Sequence, residues 1–376
     1  MTKRGNGEGT IGRRADGRWE ARYVWYEAGR RRRRVIYGQT REGVARRLRD
    51  ALKQREDGVV PADGRLTLAD FLKVWLDGAR PALSARSWER YEEHVRLYIA
   101  PSLGRLKLTE VTPAHVQRLY GELLKRGLSP STVRRTHAAF HRALGQAFRW
   151  RLVPSNVVGL VDPPRAVRRE MRALTADEAR RLLAAAANDR LEALFTVAVT
   201  AGLRLGELLA LTWADVDLDR GWLRVTGSLG RTKGAGVAVT APKTARSRRR
   251  VELTATAVEA LRRHRARQLE ERLAAGRMWR ELDLVFANRV GGYLLVNEVY
   301  EAHRRILGAA EIPRMRFHDL RHTAATLMLG RGIHPKIASE MLGHSTVAIT
   351  LDLYSHVTET MQREAVKAMD ALLTGD

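Results

Sequence analysis

Hydrophobic and polar positions change their period along the chain. In "WEARYVWYEAGRRRRRVIY", Trp19, Ala21, Tyr23 and Trp25 alternate with other residues, and Val35 to Tyr37 resume the run after a turn. A period of two predicts a small strand pair. In "TREGVARRLRDALKQRE", Val44, Leu48 and Leu52 recur at helical spacing beneath a basic outer face. One short sheet packed by one helix, a small α+β unit, is therefore expected over residues 1–57. The stretch 58–65, "GVVPADGR", reads as a linker from its Gly and Pro content.

Helical periodicity follows. "TLADFLKVWL" offers Thr67 as a cap with Asp70 three residues later, and places Phe71, Leu72, Trp75 and Leu76 on one face. "TPAHVQRLYGELLKRG" and "SPSTVRRTHAAFHRALGQAFRW" each begin with a Thr or Ser cap followed by Pro at the first helical position. Four helices between 66 and 152 predict an all-α bundle, bounded at about 160. "VPSNVVGLVDPPRAVRRE" carries Pro154, Pro163 and Pro164, cannot be one helix, and reads as a second linker. From about 170 to 376 the pattern is mixed and mainly helical. It starts with Thr175 capping and Glu178 three later, and is interrupted by the strand-like "GWLRVTG", "VAVT" and "SRRRVEL". The expected fold is multidomain: a small α+β unit, an all-α helical bundle, and a mainly-α unit with a small sheet.

Charge sharpens this picture. The 376 residues hold 67 Lys and Arg against 42 Asp and Glu, a formal net charge of +25. Such an excess points to a polyanionic partner, nucleic acid before a membrane surface, because cations that neutralise phosphates release counterions. Residues 1–57 hold 17 basic and 8 acidic residues, and the densest run, Arg30, Arg31, Arg32, Arg33 and Arg34, is expected at the strand turn of a DNA-contacting arm. Arg134, Arg135 and Arg142, with His137, His141 and Arg149, give the bundle basic faces suited to a DNA backbone. The longest apolar run, Ala193 to Leu203, falls well short of the ~18 residues of a membrane span. "MTKRGNGEG" has no apolar signal region, and with no cysteine there is neither a disulfide framework nor a thiolate metal site. A soluble protein of the cell interior is expected.

Four stretches of the last unit could carry chemistry. "TAGLRLGELLALTW" sets Arg204 and Glu207 among core leucines, where an arginine needs a partner. "APKTARSRRRVEL" brings Lys243 to a turn entering a basic strand. In "RFHDLRHTAATLML", Phe317, Leu320, Ala324 and Leu327 form the core stripe, so His318, Arg321 and His322 point elsewhere together. "LGHSTVAITLDLYSHV" adds His344 and, ten residues on, Tyr354. The spacing of His318 and His322 is also that of two zinc ligands on one helical face. Against zinc, Asp319 stands where a metalloprotease has Glu, and Arg321 would set a cation beside the metal. As a set, two guanidiniums, an ammonium, two imidazoles and a phenol suit one phosphodiester. Arginine forks clamp its oxygens and stabilise a pentacoordinate transition state. The phenol is a nucleophile and the lysine a general acid.

In their order these four stretches resemble the motif boxes of the tyrosine recombinase (phage integrase) family. "AGLRLGELL" is similar to its first arginine box, "PKTARSRRRVEL" to its lysine hairpin, "FHDLRHTAAT" to its H-x-x-R box and "LGHSTVAITLDLYSH" to its final His and Tyr box. The match is close from about 170 to 360. The resemblance implies an arm-type DNA-binding domain at 1–57, a SAM-like core-binding domain at 66–160 and a catalytic domain at 170–376. It assigns Arg204, Lys243, His318, Arg321, His344 and the nucleophile Tyr354 to catalysis, with Glu207 orienting the first arginine. Asp319 is expected to brace the helix start and His322 to support the site structurally.

What the family implies further is a site-specific recombinase that cuts and rejoins DNA through a 3′-phosphotyrosine and a four-way junction. It needs neither metal nor ATP, so no cofactor is expected. Implied partners are double-stranded attachment sites, other copies of the chain in a tetramer, and accessory DNA-bending or directionality proteins, with no membrane. The place of action would be the nucleoid of a bacterial host cell. The terminal "TETMQREAVKAMDALL" aligns Met361, Ala365, Ala368 or Met369, and Leu372, a face expected either to dock on a neighbouring protomer or to pack in cis on its own chain. A type IB topoisomerase shares the chemistry but would act as a monomer. A noncatalytic architectural DNA-binding protein would have no use for the six polar residues together.

Overall fold

The computed structural model describes residues 9–27, 30–56, 66–165, 171–232, 236–240, 248–344 and 346–351, and the single positions 366, 369, 370 and 373. Two compact units emerge, Met1–Arg168 and Arg169–Asp376.

In the first unit β1 (Thr10–Arg13), β2 (Trp19–Glu27) and β3 (Arg30–Gly38) form an antiparallel sheet in that order. The apolar stripe is inward as its period requires, with Ala21 and Tyr23 buried against Val44 and Leu48 of α1 (Arg41–Glu56). Two features depart from the sequence pattern. A third strand, β1, joins the expected pair: "TIGR" lacks apolar alternation, but its backbone meets β2 from Thr10 opposite Arg22 to Arg13 opposite Trp19. The arginine run is strand rather than turn, because Arg30 to Arg34 stand opposite Glu27 to Tyr23 in register. The aromatic and β-branched residues of β2 favour an extended ladder, and the ladder carries whatever side chains lie across it.

A second core in this unit gathers α2 (Leu68–Ala79), α3 (Ala85–His94), α4 (Ala100–Leu103), α5 (Pro113–Lys125) and α6 (Pro130–Arg149). Thr67, Thr112 and Ser129 cap α2, α5 and α6, each side chain accepting the backbone N–H three residues on. Phe71, Leu72, Trp75 and Leu76 are all buried, as the spacing predicts. Between α3 and α4 the chain widens into a π turn, Val95–Ile99, just before Pro101. Proline has no N–H to offer a regular helix, and a π turn is one way to take it in. The expected second linker behaves differently over its first half. Val153, Val158 and Val161 fill the helical core, since prolines forbid a continuous helix but not burial of the valines among them.

The second unit is built around α8 (Glu192–Thr200), whose "EALFTVAV" is buried on every side. Around it pack α7 (Ala176–Ala186), the single turn α9 (Leu205–Leu208), a sheet of β4 (Val216–Asp217), β5 (Trp222–Val225) and β8 (Arg249–Glu252), and a hairpin of β6 (Ser228–Thr232) and β7 (Gly236–Thr240). Completing it are α10 (Ala255–Ala275), α11 (Val296–Ala309), α12 (Asp319–Gly330), α13 (Pro335–Leu342) and α14 (Val347–Leu351). The three strand-like stretches lie in β5, β7 and β8. Among the described residues no helix is long and apolar enough to cross a membrane; the run from Ala193 is the core helix of this unit.

Candidate active site

Gly202 and Gly343 shape the site before any charged group enters it. Gly202 adopts φ +64°, and a Cβ there would collide with Leu342 and press on Ala324 of α12. Only glycine tolerates both the conformation and the approach. The turn thereby lies on α12 and α13, its carbonyl accepts Nη1 of Arg321 at 2.8 Å, and the chain delivers Arg204 two residues later. Gly343, at φ +66°, ends α13 in the left-handed conformation that helix caps favour, and hands the chain to His344.

Arg204 sits at the N-cap of α9. Its backbone N–H donates to Glu207 Oε2 (3.0 Å), its Nη1 to Glu207 Oε1 (2.7 Å) and its Nη2 to the Gly343 carbonyl (2.9 Å). The Arg204 side chain remains 40 % exposed while that of Glu207 is 5 % exposed. A second guanidinium reaches the same carboxylate. Arg249 of β8 donates from Nη1 to Oε1 (3.3 Å) and from Nη2 to Oε2 (2.9 Å), and from Nε to the Met341 carbonyl (2.7 Å). Burial alone would raise the Glu207 carboxyl. The hydrogen bond and charge of Arg249, then those of Arg204, bring it below the usual range instead.

Arg321, in the first turn of α12, is 3 % exposed. Among the described residues its buried Nη2 has no hydrogen-bond partner, which for a charged donor is an unfilled demand. Burial, then the charge of Arg204, pulls Arg321 down to about 9, so it stays charged at neutral pH. His344 is half-buried. Its Nδ1 lies 2.8 Å from Thr350 Oγ1, and burial followed by Arg321 and Arg204 lowers it to about 3. It is a neutral imidazole under all ordinary conditions. Nearby, Arg249, Lys336, Glu340 and His344 line a cleft of about 370 Å³.

His318 is exposed at the N-cap of α12, and partial desolvation followed by the Arg321 charge lowers its imidazole. The His322 ring meets it edge-on, centroids 5.0 Å apart at 87°. Among the described residues His318 and His322 belong to no group of three or more His, Cys, Asp or Glu that could hold a metal ion. Asp319 is buried and accepts from the Arg316 backbone N–H (3.0 Å) and guanidinium Nη2 (2.7 Å), tying down the start of α12.

The folded chain thus brings together Arg204, Glu207, Arg321 and His344, with His318 and His322 on the adjoining helix start. Lys243, Tyr354 and the terminal face of Met361, Ala365, Ala368 and Leu372 lie outside the described residues. Of the basic residues assigned to DNA, Arg33, Arg34, Arg134, Arg135 and Arg142 are exposed, and Arg30, Arg31 and Arg32 are described only as strand backbone. Arg142 leans on Tyr91, its Nη1 3.3 Å from the phenol oxygen. Sequence reasoning missed Arg249 and Thr350. For Arg249 a signal existed: Val251 is a core residue of the same strand, and period two puts Arg249 on the inward face with it.

Comparison with known proteins decides the family. The model of the phage integrase family matches residues 172–361, and that of the phage integrase N-terminal SAM-like domain matches 67–124. The chain belongs to the phage integrase family. It is a tyrosine-type site-specific recombinase. A XerC-like tyrosine recombinase of Caldanaerobacter subterraneus subsp. tengcongensis is 30 % identical across 92 % of this chain and 93 % of its own. An integrase of Streptomyces ambofaciens is 30 % identical across 89 % and 88 %. Among solved structures the fold is similar to the Tn1549 transposon integrase in complex with a circular intermediate DNA, with a TM-score of 0.69 at 18 % identity, over 81 % of this chain and 99 % of that one. It is similar also to a lambda integrase dimer bound to a core site, with a TM-score of 0.56 at 17 % identity, over 94 % and 96 %.

Proposed function

We propose that Arg204, Arg321, His318 and His344 of this recombinase hold the scissile phosphate of a DNA strand while Tyr354 attacks it. Tyr354, its phenol proton given up to solvent, attacks as the phenolate: its oxygen bonds to phosphorus as the bond to the 5′ oxygen breaks, and Lys243 gives that oxygen its proton. A 3′-phosphotyrosine and a free 5′ hydroxyl result. The hydroxyl of a partner duplex then attacks the phosphotyrosine, so the bond energy is conserved through a four-way junction without ATP. The observation that carries this reading is Arg321: a buried guanidinium whose Nη2 has no partner among the described residues, beside two further guanidiniums gathered on the Glu207 carboxylate. Such a site is short of negative charge, and a pentacoordinate phosphorane supplies it. Nδ1 of His344 is engaged by the Thr350 hydroxyl at 2.8 Å; in the tautomer in which that hydroxyl donates, Nε2 carries the proton and adds a donor.

The remaining assignments follow from this chemistry. Residues 1–57 serve as an arm domain and 66–160 as a core-binding domain, a reading supported by the exposed Arg33, Arg34, Arg134 and Arg135. Two duplexes and paired exchanges call for four protomers on double-stranded attachment sites, with accessory proteins choosing between integration and excision of a mobile element. The protein would work at the nucleoid, where its substrate is.

The test is a nicked suicide duplex carrying the attachment sequence. Wild-type protein should form a denaturant-resistant covalent adduct, undiminished by EDTA. Tyr354→Phe should form none while binding the same duplex with unchanged affinity. An adduct that persists in Tyr354→Phe, or requires a metal, would remove the tyrosine mechanism.

A further inference from the structure

We propose that Arg249 is a positioning residue of the recombinase reaction, the buried strut that sets both Arg204 and His344 at the phosphate. It rests on the reading that those two residues serve the phosphate. Three donors of one guanidinium hold two separate parts of the site. Nη1 and Nη2 grip the Glu207 carboxylate, the same group that accepts the backbone N–H and Nη1 of Arg204. Nε holds the Met341 carbonyl in the last turn of α13. Gly343 lies directly on the guanidinium, since a Cβ there would stand 2.8 Å from Nη1. Its carbonyl receives Nη2 of Arg204, and His344 is the next residue. The link therefore closes into a ring through Arg249, Glu207, Arg204, Gly343 and the end of α13.

The Arg249 side chain is only 6 % exposed. A buried ion pair of this kind is weak as a stabiliser compared with apolar residues of the same size, so packing alone gives no reason for the charge. A planar fork that donates in several fixed directions does. Lysine, whose donors all sit on one nitrogen, would not span the Glu207 carboxylate and the Met341 carbonyl in these fixed directions.

The test compares Arg249→Lys, Arg249→Ala and Arg250→Ala in the full-length protein. Arg250 is the control: it neighbours Arg249 on β8, is exposed, and pairs with Glu252. Single-turnover adduct formation on the suicide duplex, duplex affinity and thermal unfolding are measured for each. Arg249→Ala should slow adduct formation about 10²-fold, the scale of a small misplacement of reacting groups, with affinity unchanged and partial rescue by added guanidinium. Arg249→Lys should fall between it and wild type, and Arg250→Ala should match wild type. The pH profile separates positioning from mere folding. Glu207 faces Arg204, Arg249 and Arg321, with His344 beyond them. Without Arg249 its carboxyl takes up a proton at higher pH, so the rate of Arg249→Ala should begin to fall at a higher pH on the acid side. Wild-type rates in both Arg249 variants would overturn the inference. So would a loss that follows unfolding, with an unshifted pH profile and no rescue. Absence of any adduct with wild-type protein would instead overturn the phosphate-site reading on which this one stands.

Discussion

In the helical bundle of α2 to α6, side-chain chemistry and burial agree. Phe71, Leu72, Trp75 and Leu76 are inside, and Arg134 and Arg135 are outside. Around α9 and α12 of the second unit they disagree. The side chains of Arg249, Arg321, Glu207 and Asp319 are buried, and among the described residues one buried guanidinium nitrogen, Nη2 of Arg321, has no hydrogen-bond partner. The first arrangement is what stability alone selects. The second costs stability, because desolvating a charge is expensive unless it is fully paired. Local rules of sequence and packing are broken where a protein has work to do, and the phosphate proposed for this site would be the partner Arg321 lacks among the described residues.

Three substitutions would sharpen or break that contrast. The largest effect on chemistry should come from Arg321→Ala, which removes a buried donor proposed to face the developing charge. Adduct formation on the suicide duplex should fall by about 10² to 10³, with little loss in thermal stability because an underpaired charge leaves with it. A fall in stability as large as the fall in rate would mean that Arg321 belongs to the fold rather than to the reaction.

Leu72→Ala should do the opposite. Removing a fully buried leucine side chain costs about 2 to 5 kcal/mol, read as a lower denaturant midpoint, with the pH profile of adduct formation unchanged. A shifted profile would show that the bundle's packing and the chemistry are not separable.

The smallest effect concerns acid. His303 is buried between Phe195 and Phe317, and burial lowers it to about 4. His344 is lowered to about 3. In the unfolded chain both titrate near 6.5. Between those values the unfolded chain binds protons that the folded chain refuses, so this stability is complete above about 6.5 and is lost as pH falls toward 4 and 3. His303→Phe, which keeps an aromatic ring in the stack, should flatten the fall of melting temperature with pH over the upper part of that window. An unchanged slope would exclude His303 as a source of acid sensitivity.

How much of this was legible beforehand depended on whether the signal was local. Caps at Thr67, Thr112, Ser129 and Thr175 could be read from a few neighbouring letters, and so could the stripes of α1, α2 and α12. The strand β1 could not, because its pairing is made by backbone atoms common to every residue. Neither could the burial of Val158 and Val161, which depends on the space left between helices. At the site, the motif letters marked Arg204, Glu207, Arg321 and His344 one by one. Arg249 was passed over as one of three consecutive arginines: the strand period turns it inward with Val251, but no local signal says that it meets Glu207, 42 residues away.

By itself the sequence determined the periodicities and hence the order of sheet, bundle and mixed unit. It also determined the excess of positive charge and the identity of the groups able to handle a phosphate. These are properties of residues and their near neighbours, and they survive in an unfolded chain. Only the tertiary structure decided which charges lose their water, which carboxylate is shared by two guanidiniums, and which N–H has no partner among the described residues. Those depend on Gly202 and Gly343 letting distant backbones approach. Desolvation and convergence do not exist until the chain has closed upon itself.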